Sequence, residues 1–294
     1  MPGKGTDPPE RRAGKDEHVI EAIGRTRVVI RDGVVVEVGT PCIEECPLAR
    51  RFAVPVADFT PEAIRENIGN RIRAFGMCTP GREVEDDRDF VGFGASELLS
   101  AALRAGLIDA VVLACDGAGT VIAPLAPLVQ GIGGRMSGLV STSPIPRVMD
   151  RIREAGGYIV DPGGAAIDQV RGTGAACDLG YRKVAVTVAD PGTASEVRRL
   201  YPDAVIVAVH TTGTTREGAE ILASTADLVT ACASRHLRDL GATALIQAGT
   251  GIPVFGFTRA GKEIILAKVR ESNAPVVVKF DRLPVQGSGP APLL

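Results

Sequence analysis

The second half of the chain alternates short β-branched runs with helical segments, and this rhythm constrains the fold more than any other feature. "KVAVTVADPGTASEVRRL" reads as strand, turn and helix, "AVIVAVHTTGTTREGAEIL" repeats the unit, and "DLVTACASRHLRDLG" is a shorter third copy. "IPVFGF" is one further strand. Runs that are apolar over their whole length suit strands covered on both faces. Alternating β and α elements imply a mostly parallel sheet with right-handed crossovers. The expected class is therefore α/β, with repeated, Rossmann-like βα units in the C-terminal half.

The first half is organised differently. "RTRVVIRDGVVVEVG" reads as a β-hairpin turning at Asp32-Gly33, a dipeptide suited to a type I′ turn. "TPEAIRENIGNRIRAFG" is a helix: Thr60 can cap it, Pro61 fits its first turn, and Ile64, Ile68 and Ile72 recur at helical spacing. "SELLSAALRAG" is a second helix leading into a strand that ends at Cys115, and a third helix follows around Arg147 to Ala155. The expected organisation is a disordered tail over 1–15, an N-terminal α/β part over 16–160, a C-terminal part over 161–282 and a flexible tail over 283–294.

Composition excludes several function classes. The net charge of −2 gives no basic footprint for nucleic acid. Aromatic residues make up 4% and tryptophan is absent, which argues against base-stacking platforms. No apolar run approaches the about 20 residues needed to span a bilayer, and the polar start lacks the apolar centre of a signal peptide. A cytoplasmic location is expected. Six cysteines are then not a disulfide framework but buried thiols, metal ligands or catalytic thiolates.

The chemistry-bearing residues gather at predicted element ends. Cys46 lies in a loop, Cys78 just after a helix, and Cys115 and Cys232 at the ends of strands. In a parallel α/β sheet the carboxyl ends of strands line the ligand crevice. Four such thiols could converge on zinc or an iron–sulfur cluster, although no C-x-x-C pair exists and each could equally be a small buried hydrophobe. Cys177 reads as a packed helix residue, with Cys42 intermediate. "GIGGR" (Gly131 to Arg135, with Gly133 and Gly134), followed by Ser141, Thr142 and Ser143, offers N–H groups, hydroxyls and a guanidinium suited to an anion. It could also be a plain connector. It is neither a P-loop nor a dinucleotide fingerprint, so no nicotinamide motif is seen. His210 ends an apolar run and Asp116 follows Cys115, so either could act as acid or base or could be structural. Arg235 and His236 follow Cys232 at a helix start, where anions and thiolates are favoured. His18, near the tail, is expected at the surface.

The blocks "DEHVIEAIGRTRVVIRDGVVVEVG", "CPL", "TPEAIREN", "FGMCTP", "GAGTVI", "VQGIGGRMSGLVSTSPIP", "AVTVAD" and "VTACASR" occur in order. Together they resemble the methanogenesis marker protein 8 family, from about Asp16 to Phe257. The resemblance implies a bacterial, coenzyme M synthase-like member, and the arginine-rich composition fits such a bacterium. It implies an enzyme that thiolates and reduces sulfoacetaldehyde to 2-mercaptoethanesulfonate at a Cys-ligated iron–sulfur site. The cysteines matched to the family are Cys46, Cys78, Cys115 and Cys232. The partners implied are a small sulfonated substrate and a sulfur or electron donor, with a homodimer also open. On this reading "GIGGR", Ser141, Thr142 and Arg235 would bind the sulfonate, and His210, Asp116 or Cys232 would serve the chemistry. Two other expectations stay open: an assembly or activation factor for a methanogen-type enzyme, with a structural or relay cluster, and a metal-free enzyme acting on a nucleotide or a phosphorylated metabolite.

Overall fold

The computed structural model describes residues 16–136 and 138–294, so the expected tail over 1–15 lies outside the described residues. Its elements run β1 (Glu17–Ala22), β2 (Thr26–Arg31), β3 (Val34–Val38), α1 (Pro61–Phe75), α2 (Ala95–Arg104), β4 (Ala110–Cys115), β5 (Gly119–Ala123) and α3 (Ala126–Gly133). There follow β6 (Gly138–Thr142), α4 (Pro146–Glu154), β7 (Tyr158–Ile159), α5 (Gln169–Asp178), β8 (Val184–Val188), α6 (Pro191–Leu200), β9 (Val205–Ala208) and α7 (Arg216–Thr225). The chain closes with β10 (Leu228–Thr230), α8 (Arg235–Leu240), β11 (Ile246–Ala248), β12 (Val254–Gly256) and α9 (Arg259–Glu271).

Two sheets organise the described residues. The larger has the order β11-β12-β10-β9-β8-β4-β5-β7. Its centre, β10-β9-β8-β4, is parallel, as the βα rhythm requires, and its flanks are antiparallel. β4, β5 and β7 belong to this sheet, so a division of the chain at 160 falls within one sheet rather than between two. Successive residues of β4 serve opposite faces. Val111 and Leu113 join a core with Leu98, Leu128, Ile152 and Ile264 of α2, α3, α4 and α9. Val112 joins a second core with Ala176, Val197, Leu222 and Leu237 of α5 to α8. The apolar runs are therefore two-sided.

The smaller sheet, β3-β2-β1-β6, is antiparallel. Asp32 (φ 49°) and Gly33 (φ 73°) both adopt positive φ at its hairpin turn, as a type I′ turn demands. Ile20, Val28 and Ile30 bury one face of this sheet against Ile64 and Ile68 of α1. That helix is capped as its sequence predicts: the Ala63 N–H donates to Thr60 Oγ1 (3.1 Å), and Gly76 ends it in the left-handed region.

Three elements differ from expectation. β5 is a strand not expected from the sequence: it pairs with β4 and β7, and Gly119 at its start lies so close to Ala165 that a Cβ would meet its carbonyl carbon at 2.3 Å. "GIGG" closes α3 rather than forming a loop. A Cβ on Gly131 would lie 2.3 Å from the Val84 carbonyl oxygen, so close packing overrides glycine's poor helix propensity. The segment 283–294, expected to be flexible, is bonded to the body: the Val285 N–H donates to Gln247 Oε1 (2.8 Å), and Ala291 forms a β-bridge with Glu45. No helix among the described residues is long and apolar enough to cross a membrane.

Candidate functional site

The turn after β4 carries the most heavily buried charges. Asp116, Arg82, His18, Cys78 and Cys115 are all fully buried. Arg82 Nε donates to Asp116 Oδ1 (2.9 Å), and the Cys78 N–H donates to Asp116 Oδ2 (2.5 Å). Burial alone would raise the Asp116 pKa, but the Arg82 charge, the Cys78 N–H and His18 hold it below the usual carboxylate range. Burial would likewise lower Arg82, and Asp116 reverses that. The pair is ionised. Both neighbouring thiols are pushed up, first by burial and then by the Asp116 charge, so both are protonated at neutral pH. Cys78 has φ 56°, a conformation that non-glycine residues hold only when their surroundings over-determine it.

His18 belongs to this cluster, not to the surface. It lies on β1 facing β6, with Nδ1 2.5 Å from Thr142 Oγ1 and Nε2 2.9 Å from Asp16 Oδ1. Thr142 Oγ1 also accepts from the Gly117 N–H (2.8 Å), tying the small sheet to the turn after β4. Behind them the Phe75 ring is ringed by the guanidinium groups of Arg71, Arg82 and Arg135 at 5.9, 5.2 and 5.2 Å.

Cys46 and Cys232 form a second pair, half-buried. Burial raises both thiols, each is affected by Arg238, and Cys232 is affected by Cys46 as well. Arg238 Nε donates to the Cys232 carbonyl (3.2 Å), and the Cys232 N–H donates to Thr211 Oγ1 (3.3 Å).

Thr211 leads to the third component, a cleft of about 350 Å³ between the small sheet and the carboxyl ends of β8 and β9. Glu21, Arg25, Gly138, Asp190, His210 and Thr212 are among its lining. This is the crevice where α/β sheets take ligands. His210 (φ 55°) opens into it. Although one side of the ring is exposed to the cleft, the protein packed around the rest of it, then the nearby Arg71 charge, push His210 down to about 4, so it is neutral at physiological pH. Burial raises Glu21 against the opposing pull of Arg25, 3.6 Å away. Asp190, at the rim, accepts from the Thr193 N–H (2.6 Å) and so caps α6.

Several expected site residues serve other ends. Asp116 is locked in its ion pair. Arg135 is not free for a ligand anion: its guanidinium is taken up by the carboxylates of Glu83 (2.8 Å) and Asp86. Gly133 and Gly134 pack against Ser96 and Phe90. Ser141 lies on β6, paired to Val19. Arg235 is exposed, and its backbone N–H donates to the Leu294 carbonyl (2.9 Å). Asp190 and His210 meet at the sheet edge as the parallel topology predicts, whereas the four cysteines fall into two pairs. Among the described residues, no three His, Cys, Asp or Glu side chains are gathered in metal-ligating geometry. Cys42 and Cys177 are exposed. His18, Arg82 and Arg71 were not legible as site residues. The one available signal was His18 opening the apolar alternation "HVIEA".

A Methanocaldococcus jannaschii protein described as "Uncharacterized protein MJ0054" is 42% identical to this chain over 284 residues, spanning 95% of this chain and all of that protein. A family profile described as "Uncharacterized protein conserved in archaea (DUF2099)" matches residues 18–270. The match takes in β1 from its buried His18 onward, both cysteine pairs and nearly all of α9, and the chain belongs to this DUF2099 family.

Proposed function

We propose that the chain is a methanogenesis marker protein 8-type, sulfur-transferring enzyme, which converts sulfoacetaldehyde to 2-mercaptoethanesulfonate. The observation that carries this reading is the His210–Thr211 dipeptide. His210 opens into the sheet-edge cleft while Thr211, the next residue, is hydrogen-bonded to the backbone N–H of Cys232, so the loop that lines a small-substrate cleft is tied to the loop that carries one of the thiols. At the Cys46–Cys232 pair the donors suit an iron–sulfur group: both are thiols, and Arg238 beside them offsets thiolate charge. Cys46 and Cys232 would hold the group, with Cys78 and Cys115 as the further family-matched thiols. When bound, such a group supplies a retained sulfide and electrons for the reduction.

The chain's own residues account for the rest. Arg25 and the Thr212 hydroxyl are placed to take the sulfonate at the cleft mouth. His210, being neutral, takes a proton from hydrogen sulfide as sulfur attacks the aldehyde carbon and passes it to the carbonyl oxygen, giving the thiohemiacetal. The same imidazole then carries the remaining S–H proton to that hydroxyl, which leaves as water, and the C=S bond so formed takes two electrons and two protons from the reductant.

The test is anaerobic purification, assay of iron and acid-labile sulfide, then incubation with sulfoacetaldehyde, sulfide and a reductant. The expected result is 2-mercaptoethanesulfonate, lost together with iron in Cys46→Ser and Cys232→Ser. Protein that carries its cluster yet forms no product overturns the reading.

A further inference from the structure

The geometry points to Pro290–Leu294 as a clasp that positions the Cys46 and Cys232 loops and closes over their thiols. This inference rests on reading those two cysteines as the working pair. The Ala291 N–H donates to the Glu45 carbonyl (3.1 Å), and the Ala291 carbonyl accepts from the N–H groups of Glu44 (2.7 Å) and Glu45 (3.1 Å). Three residues on, the Leu294 N–H donates to the Ala233 carbonyl (3.2 Å), and the Leu294 carbonyl accepts from the Arg235 N–H (2.9 Å). Glu45 immediately precedes Cys46 and Ala233 immediately follows Cys232. Three peptide units reach roughly 11 Å at most. One short strand therefore fixes the spacing of two loops that are remote in sequence.

The clasp also touches the chemistry on either side. Gly289 lies so close to Arg238 that a Cβ there would meet Nη1 at 3.1 Å, and Arg238 is the cation beside both thiols. A Cβ on Gly213, a wall residue of the cleft, would lie 3.5 Å from Leu294 Cδ1.

The clasp is built to release. It is held largely by backbone bonds at its two ends, and upstream of the anchor that Val285 makes to Gln247 the chain is unpacked, with Val277 and Phe280 88% and 107% exposed. Few buried contacts and solvent-facing hydrogen bonds mark segments that open locally while the body stays folded.

The test uses the full chain and a variant ending at Gly289, both without metal, exposed to iodoacetamide and read cysteine by cysteine by mass spectrometry. In the shortened protein Cys46 and Cys232 should alkylate at least about tenfold faster, with Cys42 and Cys177 unchanged and Cys78 and Cys115 still protected. A Pro-Ala-Pro-Leu-Leu peptide added in excess should slow Cys46 and Cys232 again. Unchanged Cys46 and Cys232 rates in the folded variant overturn the clasp. If Cys78 and Cys115 also become reactive, the fold has opened, and a variant lacking only Leu293 and Leu294 decides, with unchanged rates again overturning the inference. Because the readout needs neither cluster nor substrate, its failure is distinguishable from failure of the proposed reaction.

Discussion

Arg82 Nε and Asp116 Oδ1 stand 2.9 Å apart with neither side chain exposed to solvent. Breaking such a pair from one side leaves an uncompensated charge in the interior. Asp116→Ala should cost about 3–5 kcal/mol of stability, read as a shift in the urea midpoint. A double replacement, Arg82→Met with Asp116→Leu, should recover part of that loss, because the charge left behind is gone.

Thr142→Val removes the oxygen that accepts from the Gly117 N–H and stands against His18 Nδ1. The shape is nearly kept, so the loss isolates the polar contacts. A destabilisation of about 1–3 kcal/mol is expected, with Ser141→Ala, on the same strand, as the near-neutral comparison.

Gly119→Ala places a methyl group 2.3 Å from the Ala165 carbonyl carbon at a residue with φ +69°. The backbone of the β4–β5 turn must give way. The expected cost is about 1–3 kcal/mol or more, and Cys115 should become accessible to alkylation in the variant before global unfolding.

His210 gives a pH dependence of known sign. Its folded pKa is about 4, below that of the unfolded chain, so unfolding takes up a proton between the two values. Its contribution lowers stability as pH falls through 6.5 toward 4 and has no effect above that window. His210→Asn should flatten this part of the thermal-unfolding profile. On the proposed reaction the same variant should lower turnover at pH 7 while leaving the iron content unchanged.

The parallel core was legible because its strands carry no polar alternation. The runs ending at Asp190, His210 and Cys232 had one reading as a covered sheet, and their shared edge followed. β1 was not legible, because six residues beside a polar tail are stabilised by pairing with β6, more than a hundred residues away. His18 was misplaced for the same reason. The glycines of α3 misled because local propensity is outweighed by the close approach of Val84 and Glu85. Arg135 misled because its carboxylate partners, Glu83 and Asp86, come from another segment. The pairing of Cys46 with Cys232 depends on a tail whose docking sequence periodicity does not encode.

The partnership of β1 with β6 also bears on the order of assembly. The β2–β3 hairpin needs only neighbouring residues and can close early. β1 can pair with β2 at once, but its other edge stays open until Gly138–Thr142 has been made. Contacts this far apart in sequence slow folding. On a ribosome, the buried His18 side of the small sheet would face water while β4, β5 and α3 were being synthesised. A chaperone encountering the nascent chain would find that open edge first.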